Sequence, residues 1–254
     1  MIRATVWPVA LTLVPALVVA CGGGDLGGED GADTVLVLAA ASLTDAFTDL
    51  AAAFESANDG VTVELAFGGS STLAAQIVEG APAAVFASAS SAEMEQVVEA
   101  GLADDPSTFA TNRLEIVTTP GSRVTVSGLG DFAREELLVG LCAEAVPCGT
   151  LARRALDAAG VVPSIDTNEP DVRALLAKVA AGELDLGIVY HSDVVAAGDG
   201  VVGIEIPANH NVIATYPIVT LGAASDRVAA RAFVDFVLSA DGGEILQRHG
   251  FGAP

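Results

Sequence analysis

The feature that most limits the fold of this chain is a predicted strand that leads into a helix through a glycine–serine turn. Residues 61–67 (VTVELAF) alternate apolar and polar side chains and are rich in β-branched residues, a pattern typical of a strand. Residues 73–79 (LAAQIVE) place apolar side chains at helical spacing, and Gly80 ends the run. Ser70 and Ser71 therefore fall at a helix start, where their hydroxyls can cap the helix. The free N–H groups of such a turn can bind an anion, and the alternative is an ordinary capped turn.

Similar turns recur along the chain. Residues 34–40 read as a nearly continuous apolar strand, and a helical pattern follows from Ala46 to Phe54, with Ser42 or Thr44 as its cap. Strands that alternate with helices in two successive sets predict an α/β protein of two lobes, each a mostly parallel sheet flanked by helices. The further strands are predicted at residues 83–87, 113–118, 137–142, 184–190, 204–206 and 216–221, and the further helices at 91–100, 151–159, 171–179, 226–238 and 243–249.

Four of the predicted helix starts follow a strand or an extended segment. They are marked by Ser42, Ser70, Cys148 and Val172. In open α/β sheets such turns cluster at the carboxyl edge of the strands, where ligands bind. If two lobes face each other across a cleft, the four helix starts can converge on one small anion.

The charge of the chain excludes one class of function. The 254 residues carry 33 acidic and 11 basic side chains, a formal net charge of −22. A general nucleic-acid binder needs a basic face, so we expect no nucleic-acid partner. We interpret the acidity as a solvated surface suited to a salty medium. The 52% of hydrophobic residues is enough for the core of one or two domains.

The N-terminal segment has the pattern of a targeting signal. Residues 1–20 combine one basic residue with a small and apolar region, and we predict that they form a lipoprotein signal peptide. The end of this region, VVAC, resembles the bacterial lipobox, which implies lipidation of Cys21. Residues 21–32 then form a Gly-rich acidic tether. This predicts an extracytoplasmic domain, lipid-anchored to the outer face of the cell membrane or periplasmic, and the alternative is cleavage to a free secreted protein.

Two cysteines remain once Cys21 is set aside. Cys142 and Cys148 form a close, even pair, which outside the cytoplasm predicts a disulfide. A metal site is the weaker reading, because the three histidines, His191, His210 and His249, are scattered along the sequence.

Several short segments between Thr34 and Phe251 have, in unbroken order, the residues of a known family. They are 39–46 (AAASLTDA), 67–74 (FGGSSTLA), 79–83 (EGAPA), 146–149 (VPCG), 171–173 (DVR), 186–193 (LGIVYHSD) and 247–251 (QRHGF). These segments resemble the molybdate-binding (ModA) family of bacterial ABC transporters. The resemblance implies a type II periplasmic-binding fold, whose two lobes are joined by crossover strands and close on the ligand. It implies lobe 1 from residues 33–113 and 218–254, and lobe 2 from residues 114–217.

In this family a tetrahedral oxyanion is bound by N–H and O–H donors from five positions. Carried over by motif, Ser42 and Ser70 would each donate a hydroxyl and a backbone N–H, Cys148 and Val172 a backbone N–H, and Tyr190 its phenolic O–H. Molybdate has two negative charges and no proton at neutral pH, so a site made only of donors suits it. The metal would have no protein ligand, no cofactor is implied, and tungstate should bind similarly. The preference between the two anions is left open.

The resemblance also implies partners, namely an ABC permease and an ATPase, and we expect a monomer that is not an enzyme. Two alternatives remain. One is the same fold with another tetrahedral oxyanion, such as sulfate. The weaker one is a surface-anchored serine hydrolase using Ser70, although Thr72 stands where a Gly-x-Ser-x-Gly motif requires glycine. The chain departs from the family at Ala84 and Ser90, which replace aspartates outside the donor set.

Overall fold

The computed structural model describes residues 33–222 and 228–254. The predicted signal peptide, the lipidation site Cys21 and the tether lie outside the described residues, as does the start of the helix predicted at residues 226–238. Residues Ala32–Pro254 form one compact unit. Across the described ranges no helix is long and apolar enough to span a membrane.

Nine strands and eight α-helices alternate through the part of the chain that the structure describes. Short 3-10 turns at Ala41–Leu43, Leu129–Ala133 and Gly198–Gly200 complete the order. The strands are β1 (Asp33–Ala40), β2 (Val61–Gly68), β3 (Val85–Ala87), β4 (Ser107–Thr118), β5 (Val139–Cys142), β6 (Thr167–Glu169), β7 (Leu186–Tyr190), β8 (Val202–Glu205) and β9 (Ile213–Thr220). The helices are α1 (Thr44–Ala57), α2 (Ser70–Val78), α3 (Ser91–Glu99), α4 (Pro147–Ala158), α5 (Val172–Ala180), α6 (His191–Ala197), α7 (Val228–Val237) and α8 (Ala240–Arg248).

The strands form two sheets that share β4. The first sheet has the order β2-β1-β3-β9-β4 and the second the order β4-β7-β5-β6, with β8 also paired to β4. β4 pairs with β9 up to Arg113 and with β7 from Leu114 onward, so one strand passes from one sheet to the other. This confirms the predicted α/β class. The predicted lobe limits stay a prediction, and β9 enters the first sheet at Ile213, before the predicted limit at residue 218.

Each sheet is mixed rather than mostly parallel. β1 runs parallel to β2 and β3, and β5 runs parallel to β6 and β7. The antiparallel pairs all involve β4 or β9. The physical reason is that these two strands cross the molecule and return, whereas the other strands each belong to a strand–helix repeat, which keeps neighbours parallel.

Several predicted element limits were wrong. β4 begins at Ser107, not at residue 113, because its first half pairs with β9, a strand about a hundred residues away that a local pattern cannot reveal. The helix predicted at residues 151–159 already begins at Pro147, a residue well suited to the first position of a helix. Asp171, expected within a helix, is the N-cap of α5. The helix α6 was not predicted.

Two tyrosines lie where the sheets meet. Tyr190 ends β7 of the second sheet and Tyr216 lies in β9 of the first, and both are among the largest fully buried side chains. Their ring centroids are 6.0 Å apart in an edge-to-face arrangement. Tyr216 also packs edge-to-face on Phe109 and Phe251, at 6.2 and 5.3 Å. These rings fix the position of both hydroxyls, because aromatic pairs of this geometry are stabilising and directional.

Candidate functional site

One small cavity is lined by residues from both sheets. All five predicted positions lie in its wall, together with Gly69, Ala89, Val146 and Asp171. Its volume is about 20 Å³, and a single water molecule needs roughly 10–15 Å³ on the same measure. The cavity therefore suits a small inorganic guest and not an organic ligand of drug size. The predicted positions that it brings together are Ser42, Ser70, Cys148, Val172 and Tyr190.

The two serines come together because β1 and β2 are parallel neighbours. Ala39 pairs with Phe67 and Ala40 with Gly68, so both strands end at the same edge. The 3-10 turn with Ser42 follows β1, and α2 begins at Ser70 directly after β2. The first N–H groups of such turns have no acceptor within their own helix, which leaves them free to bind an anion.

The prediction that Ser42 or Thr44 caps the first helix, and Ser70 or Ser71 the second, was wrong. The N-cap positions are Leu43 and Gly69, and neither helix has a side-chain cap. The reason is that the helical turns begin several residues before the apolar patterns at 46–54 and 73–79. Ser42 therefore lies inside the 3-10 turn, and Ser70 is the first residue of α2.

The serine hydroxyls are hydrogen-bonded instead to two other residues of the protein, Ala89 in the cavity wall and Tyr216 behind it. The backbone N–H of Ala89 donates to Ser70 Oγ at 3.0 Å. Ser42 Oγ lies 2.9 Å from the hydroxyl oxygen of Tyr216, and either atom can be the donor. Both serines are buried. Each serine hydroxyl thus makes one hydrogen bond inside the protein and can make another to a guest in the cavity.

Cys148 and Val172 line the opposite side through the starts of two other helices. Cys148 lies in the first turn of α4 and Val172 is the first residue of α5, so each contributes an N–H that has no intrahelical acceptor. β5 and β6, which precede these helices, are parallel and adjacent, with Cys142 paired to Glu169. Asp171 Oδ1 accepts the N–H groups of Arg173 and Ala174 at 2.9 Å each and so leaves the N–H of Val172 unused.

Close backbone contacts bring the two sides together. A Cβ on Gly69 would lie 2.9 Å from the carbonyl oxygen of Pro170, so only glycine allows the start of α2 to approach the start of α5 at this distance. A Cβ on Gly149 would lie 1.9 Å from the carbonyl oxygen of Ala143. A disulfide joins Cys142, at the end of β5, to Cys148, with a Cα–Cα distance of 5.8 Å. These contacts leave little freedom to the α4 start.

Tyr190 brings a neutral hydroxyl to the cavity. The residue is 1% exposed, and its hydroxyl has no hydrogen-bond partner among the described residues. Burial raises the pKa of Tyr190 well above its usual range, so the proton stays on the oxygen. Its backbone N–H donates to Asp193 Oδ2 at 3.0 Å, which fixes the end of β7. A buried hydroxyl without a partner is unfavourable, and an acceptor in the cavity would satisfy it.

Among the residues that the structure describes, no lysine or arginine lines the cavity. Arg173 follows Val172 but is ion-paired with Asp45, and its Nε lies 3.4 Å from the carbonyl oxygen of Ala41. The groups that can attract an anion here are therefore neutral N–H and O–H donors, which avoid the desolvation of a buried cation. Within the described ranges no cluster of three or more His, Cys, Asp or Glu side chains could bind a metal ion directly.

The two positions that depart from the family pattern have structural contacts of their own. Ser90 caps α3, since its Oγ accepts the N–H of Ala92 at 3.1 Å. Ala84 is buried, and its N–H donates to the carbonyl oxygen of Leu36 at 2.8 Å. Neither lines the cavity.

Comparison with known proteins assigns the chain to a family. Residues 35–252 match the family described as bacterial extracellular solute-binding protein, and the chain belongs to this family. The molybdate-binding protein ModA of Mycobacterium tuberculosis (strain ATCC 25618 / H37Rv) is 40% identical over 252 residues, which cover 97% of this chain and 96% of that protein. ModA of Escherichia coli (strain K12) is 35% identical over 234 residues, covering 85% of this chain and 88% of that protein.

A solved structure supports the same fold. The periplasmic molybdate-binding protein of Azotobacter vinelandii superposes with a TM-score of 0.78 at 23% identity, over 87% of this chain and 99% of that chain. This confirms the two-lobed periplasmic-binding fold.

Sequence reasoning missed two residues that contact the predicted serines. Tyr216 and Ala89 carry no motif, because their importance depends on contacts across 174 and 19 positions. Gly69 belongs to the glycine–serine turn, but the sequence did not reveal its close approach to Pro170. The one available signal was the tyrosine itself, a hydroxyl within a predicted buried strand.

Proposed function

We propose that this protein is the extracytoplasmic substrate-binding component of an ABC transporter for molybdate, and that it binds tungstate as well. The main supporting observation is the buried hydroxyl of Tyr190, which has no hydrogen-bond partner among the described residues. It lies at a small cavity that is lined by none of the lysine and arginine side chains in the described ranges. The 40% identity to a mycobacterial molybdate-binding protein over nearly the whole chain supports this ligand over others. The protein is a binding protein and not an enzyme.

The chemistry of the cavity matches a fully deprotonated oxyanion. Hydroxyl and N–H groups donate hydrogen bonds, whereas a carboxylate facing the ligand would repel it. The nearby Asp171 carboxylate is occupied by two backbone N–H groups. Hydrogen phosphate needs an acceptor for its own proton, so it should bind poorly. Sulfate also has no proton at neutral pH, so only its size, with S–O bonds shorter than the Mo–O bonds of molybdate, would distinguish it.

We propose that Ser42, Ser70, Cys148, Val172 and Tyr190 bind the anion as donors and that no protein atom coordinates the metal. On this proposal the lobes extend over residues 33–113 with 218–254 and over 114–217. They close on the ligand through the crossing strands β4 and β9.

The proposed setting follows from the sequence. Cys21 is the lipidated N-terminus, residues 21–32 form the tether, and the monomer delivers its anion to a permease driven by an ATPase. The family match and the extracytoplasmic location of such receptors support the coarser part of this proposal.

The hydrolase alternative finds no support in the geometry. Ser70 Oγ accepts a backbone N–H, and the hydrogen bonds of the histidines in the described ranges go elsewhere: His191 contacts Glu115, and His249 contacts Asp49. No general base therefore lies beside the hydroxyl. Sulfate in the same cavity remains the alternative that the experiment below must exclude.

Thermal unfolding of the compact unit Ala32–Pro254 tests the function. The unit is unfolded alone and with molybdate, tungstate, sulfate or hydrogen phosphate. A ligand at a thousandfold above its Kd should add about 4 kcal/mol of stability. Stabilisation by molybdate and tungstate alone supports the proposal. Stabilisation by sulfate instead would contradict the proposal that molybdate is the ligand. An unchanged unfolding temperature with every anion would contradict the proposed binding function.

A further inference from the structure

We infer that Arg153 is a positioning residue for the side of the cavity that Cys148 and Val172 line. Together with the disulfide it holds the start of α4 against the end of β5, and either connection alone keeps the Cys148 N–H in place for the anion. Arg153 does not line the cavity and belongs to none of the five predicted positions. The inference rests on the proposed oxyanion-binding function and names a residue that acts through the donors.

The Cys148 N–H is the first donor that α4 can offer to a guest. Pro147 has no N–H, and the N–H groups of Gly149 and Thr150 both donate to the carbonyl oxygen of Val146 at 3.0 Å. The direction of the Cys148 N–H is therefore set by the first turn of the helix. Whatever fixes this turn relative to β5 also fixes the donor.

Two connections join the end of β5 to the first turn of α4. The disulfide joins Cys142 to Cys148 with a Cα–Cα distance of 5.8 Å. The second connection is the Arg153 guanidinium, whose Nη1 donates to the carbonyl oxygen of Cys142 at 2.9 Å and to that of Gly149 at 3.1 Å. Its Nη2 donates to Asn168 Oδ1, in the adjacent strand β6, at 2.6 Å. One charged side chain thus connects two strands and a helix start by strong hydrogen bonds.

The hydroxyl of Thr150, in the same turn, makes contacts of a different kind. It donates to the carbonyl oxygens of Glu144 and Val146, which lie between β5 and α4, so it stabilises the loop without tying the helix to the strand. A Cβ on Gly149 would lie 2.6 Å from the same Cys142 carbonyl oxygen that Arg153 binds. Arg153 and the disulfide therefore restrain the same distance, from the end of β5 to the first turn of α4.

Two restraints on one distance should substitute for each other. When only one is lost, the other still holds the first turn of α4, and the Cys148 N–H keeps its direction. When both are lost, the turn gains freedom that a bound anion must remove, and this ordering lowers the affinity. We therefore expect a loss of binding that appears only when Arg153 and the disulfide are absent together.

A mutant cycle on the compact unit Ala32–Pro254 tests the inference by calorimetric titration with molybdate. Arg153→Ala alone, and Cys142→Ala with Cys148→Ala, should each weaken binding by less than about twofold, whereas the three changes together should weaken it by about tenfold or more. A combined loss equal to the product of the two separate losses overturns the inference. A loss of about tenfold in Arg153→Ala alone also overturns it, because the two connections then do not substitute for each other.

Two further variants separate position from charge in the chain without the disulfide. Arg154→Ala is the matched control, because it removes the same charge from the next, exposed residue of α4, and it should leave the affinity unchanged. Arg153→Lys keeps the charge but not the planar group that reaches several acceptors, so it should lose as much affinity as Arg153→Ala. Full affinity in Arg153→Lys, or equal losses in Arg153→Ala and Arg154→Ala, would assign the effect to charge and overturn the inference.

Hydrogen exchange gives a readout that a general loss of stability does not reproduce. In the empty protein that lacks both connections, exchange should rise in peptides that cover residues 142–150. It should stay unchanged in peptides that cover Ser42 and Ser70, because these donors belong to the first sheet. An equal rise along the whole chain contradicts the inference.

Asn168→Ala covers the case in which the variant without both connections does not fold. It removes the acceptor of Nη2 and leaves Arg153 itself. Binding of molybdate should weaken about threefold to fivefold in the chain without the disulfide and by less than about twofold in the chain that keeps it. Equal effects in the two chains overturn the inference. Failure of the function itself looks different: the unmutated protein then binds neither molybdate nor tungstate.

Discussion

The two sides of the cavity present donors in different ways. On the first side, Ser42 and Ser70 carry hydroxyls that already have partners within the protein. On the second side, Cys148 and Val172 offer only main-chain groups, and the one hydroxyl there, on Tyr190, has no partner among the described residues. The hydroxyls of the first side therefore have hydrogen-bond partners before a guest binds, whereas the Tyr190 hydroxyl of the second side gains a partner from the guest. Hydroxyl deletions on the two sides should affect the empty protein with opposite signs.

Tyr190→Phe should give the largest change in binding. The loss of a donor to a charged guest in a closed site should weaken molybdate binding by about 1.5–3 kcal/mol. The empty protein should be no less stable, since a buried hydroxyl without a partner is removed. Calorimetric titration gives the affinity and urea unfolding the stability. An unchanged affinity would remove Tyr190 from the site.

Ser70→Ala tests the opposite side. Here the N–H of Ala89 loses its acceptor, so the empty protein should lose about 1–3 kcal/mol of stability, in addition to weaker molybdate binding. The same two measurements apply, and Ser71→Ala is the matched control, because Ser71 Oγ donates to the carbonyl oxygen of Ala145 outside this contact. If Ser70→Ala and Tyr190→Phe change the stability of the empty protein equally, the contrast between the two sides is wrong.

The disulfide should contribute more to the free energy of unfolding than to the affinity for molybdate. Replacing Cys142 and Cys148 together by alanine opens a loop with a separation of 6 residues, which should cost about 2 kcal/mol of unfolding free energy. Because Cys148 is expected to act through its main-chain N–H, molybdate affinity should change far less than in Tyr190→Phe. Urea unfolding and titration of the double variant check both points. A loss of affinity as large as that of Tyr190→Phe would show that the bond is needed to form the site.

Asp193 should make the second side sensitive to pH. Burial raises the pKa of Asp193 to about 7, against the opposing effects of Arg173 and the Tyr190 N–H. The folded protein then binds this proton more tightly than the unfolded chain. The contribution of Asp193 to stability is therefore full below pH 4 and is lost as the pH rises through about 7, with a slope of up to about 1.4 kcal/mol per unit. Asp193→Asn should remove this slope from urea unfolding measured between pH 5 and 8, and an identical slope in both proteins would contradict the prediction.

The ion pair between the sides should have the smallest effect. Asp45 of α1 pairs with Arg173 of α5, and both side chains are partly exposed. Pairs of this kind contribute about 0–1 kcal/mol and are weakened by salt. Asp45→Asn should therefore lower molybdate affinity by less than about fivefold, and the difference should shrink in high salt. A larger, salt-independent loss would mean that Arg173 contributes to the anion site directly.

The sequence could predict the donor positions because they follow local patterns. A strand that ends in a small or polar turn before a helix is visible in about ten residues. The structure brings Ser42, Ser70, Cys148 and Val172 to the wall of one cavity, and their role as anion donors stays a prediction. The contacts of the serine hydroxyls were not visible, since Ser70 Oγ accepts the N–H of Ala89 and Ser42 Oγ is hydrogen-bonded to the hydroxyl of Tyr216. Contacts of this kind depend on how two sheets meet, which no local pattern encodes.

Because β4 belongs to both sheets, the strands of the two sheets become available at different times during synthesis. The second sheet is built from residues 114–205, one unbroken stretch. The first sheet needs β9, and Thr111 also pairs with Gly252 near the C-terminus. Because the chain is synthesised from the N-terminus, all strands of the second sheet are made before β9, which completes the first sheet. Until β9 is made, the strands β1, β2 and β3 have an uncovered apolar edge. We expect aggregation of the newly made chain to begin at these three strands.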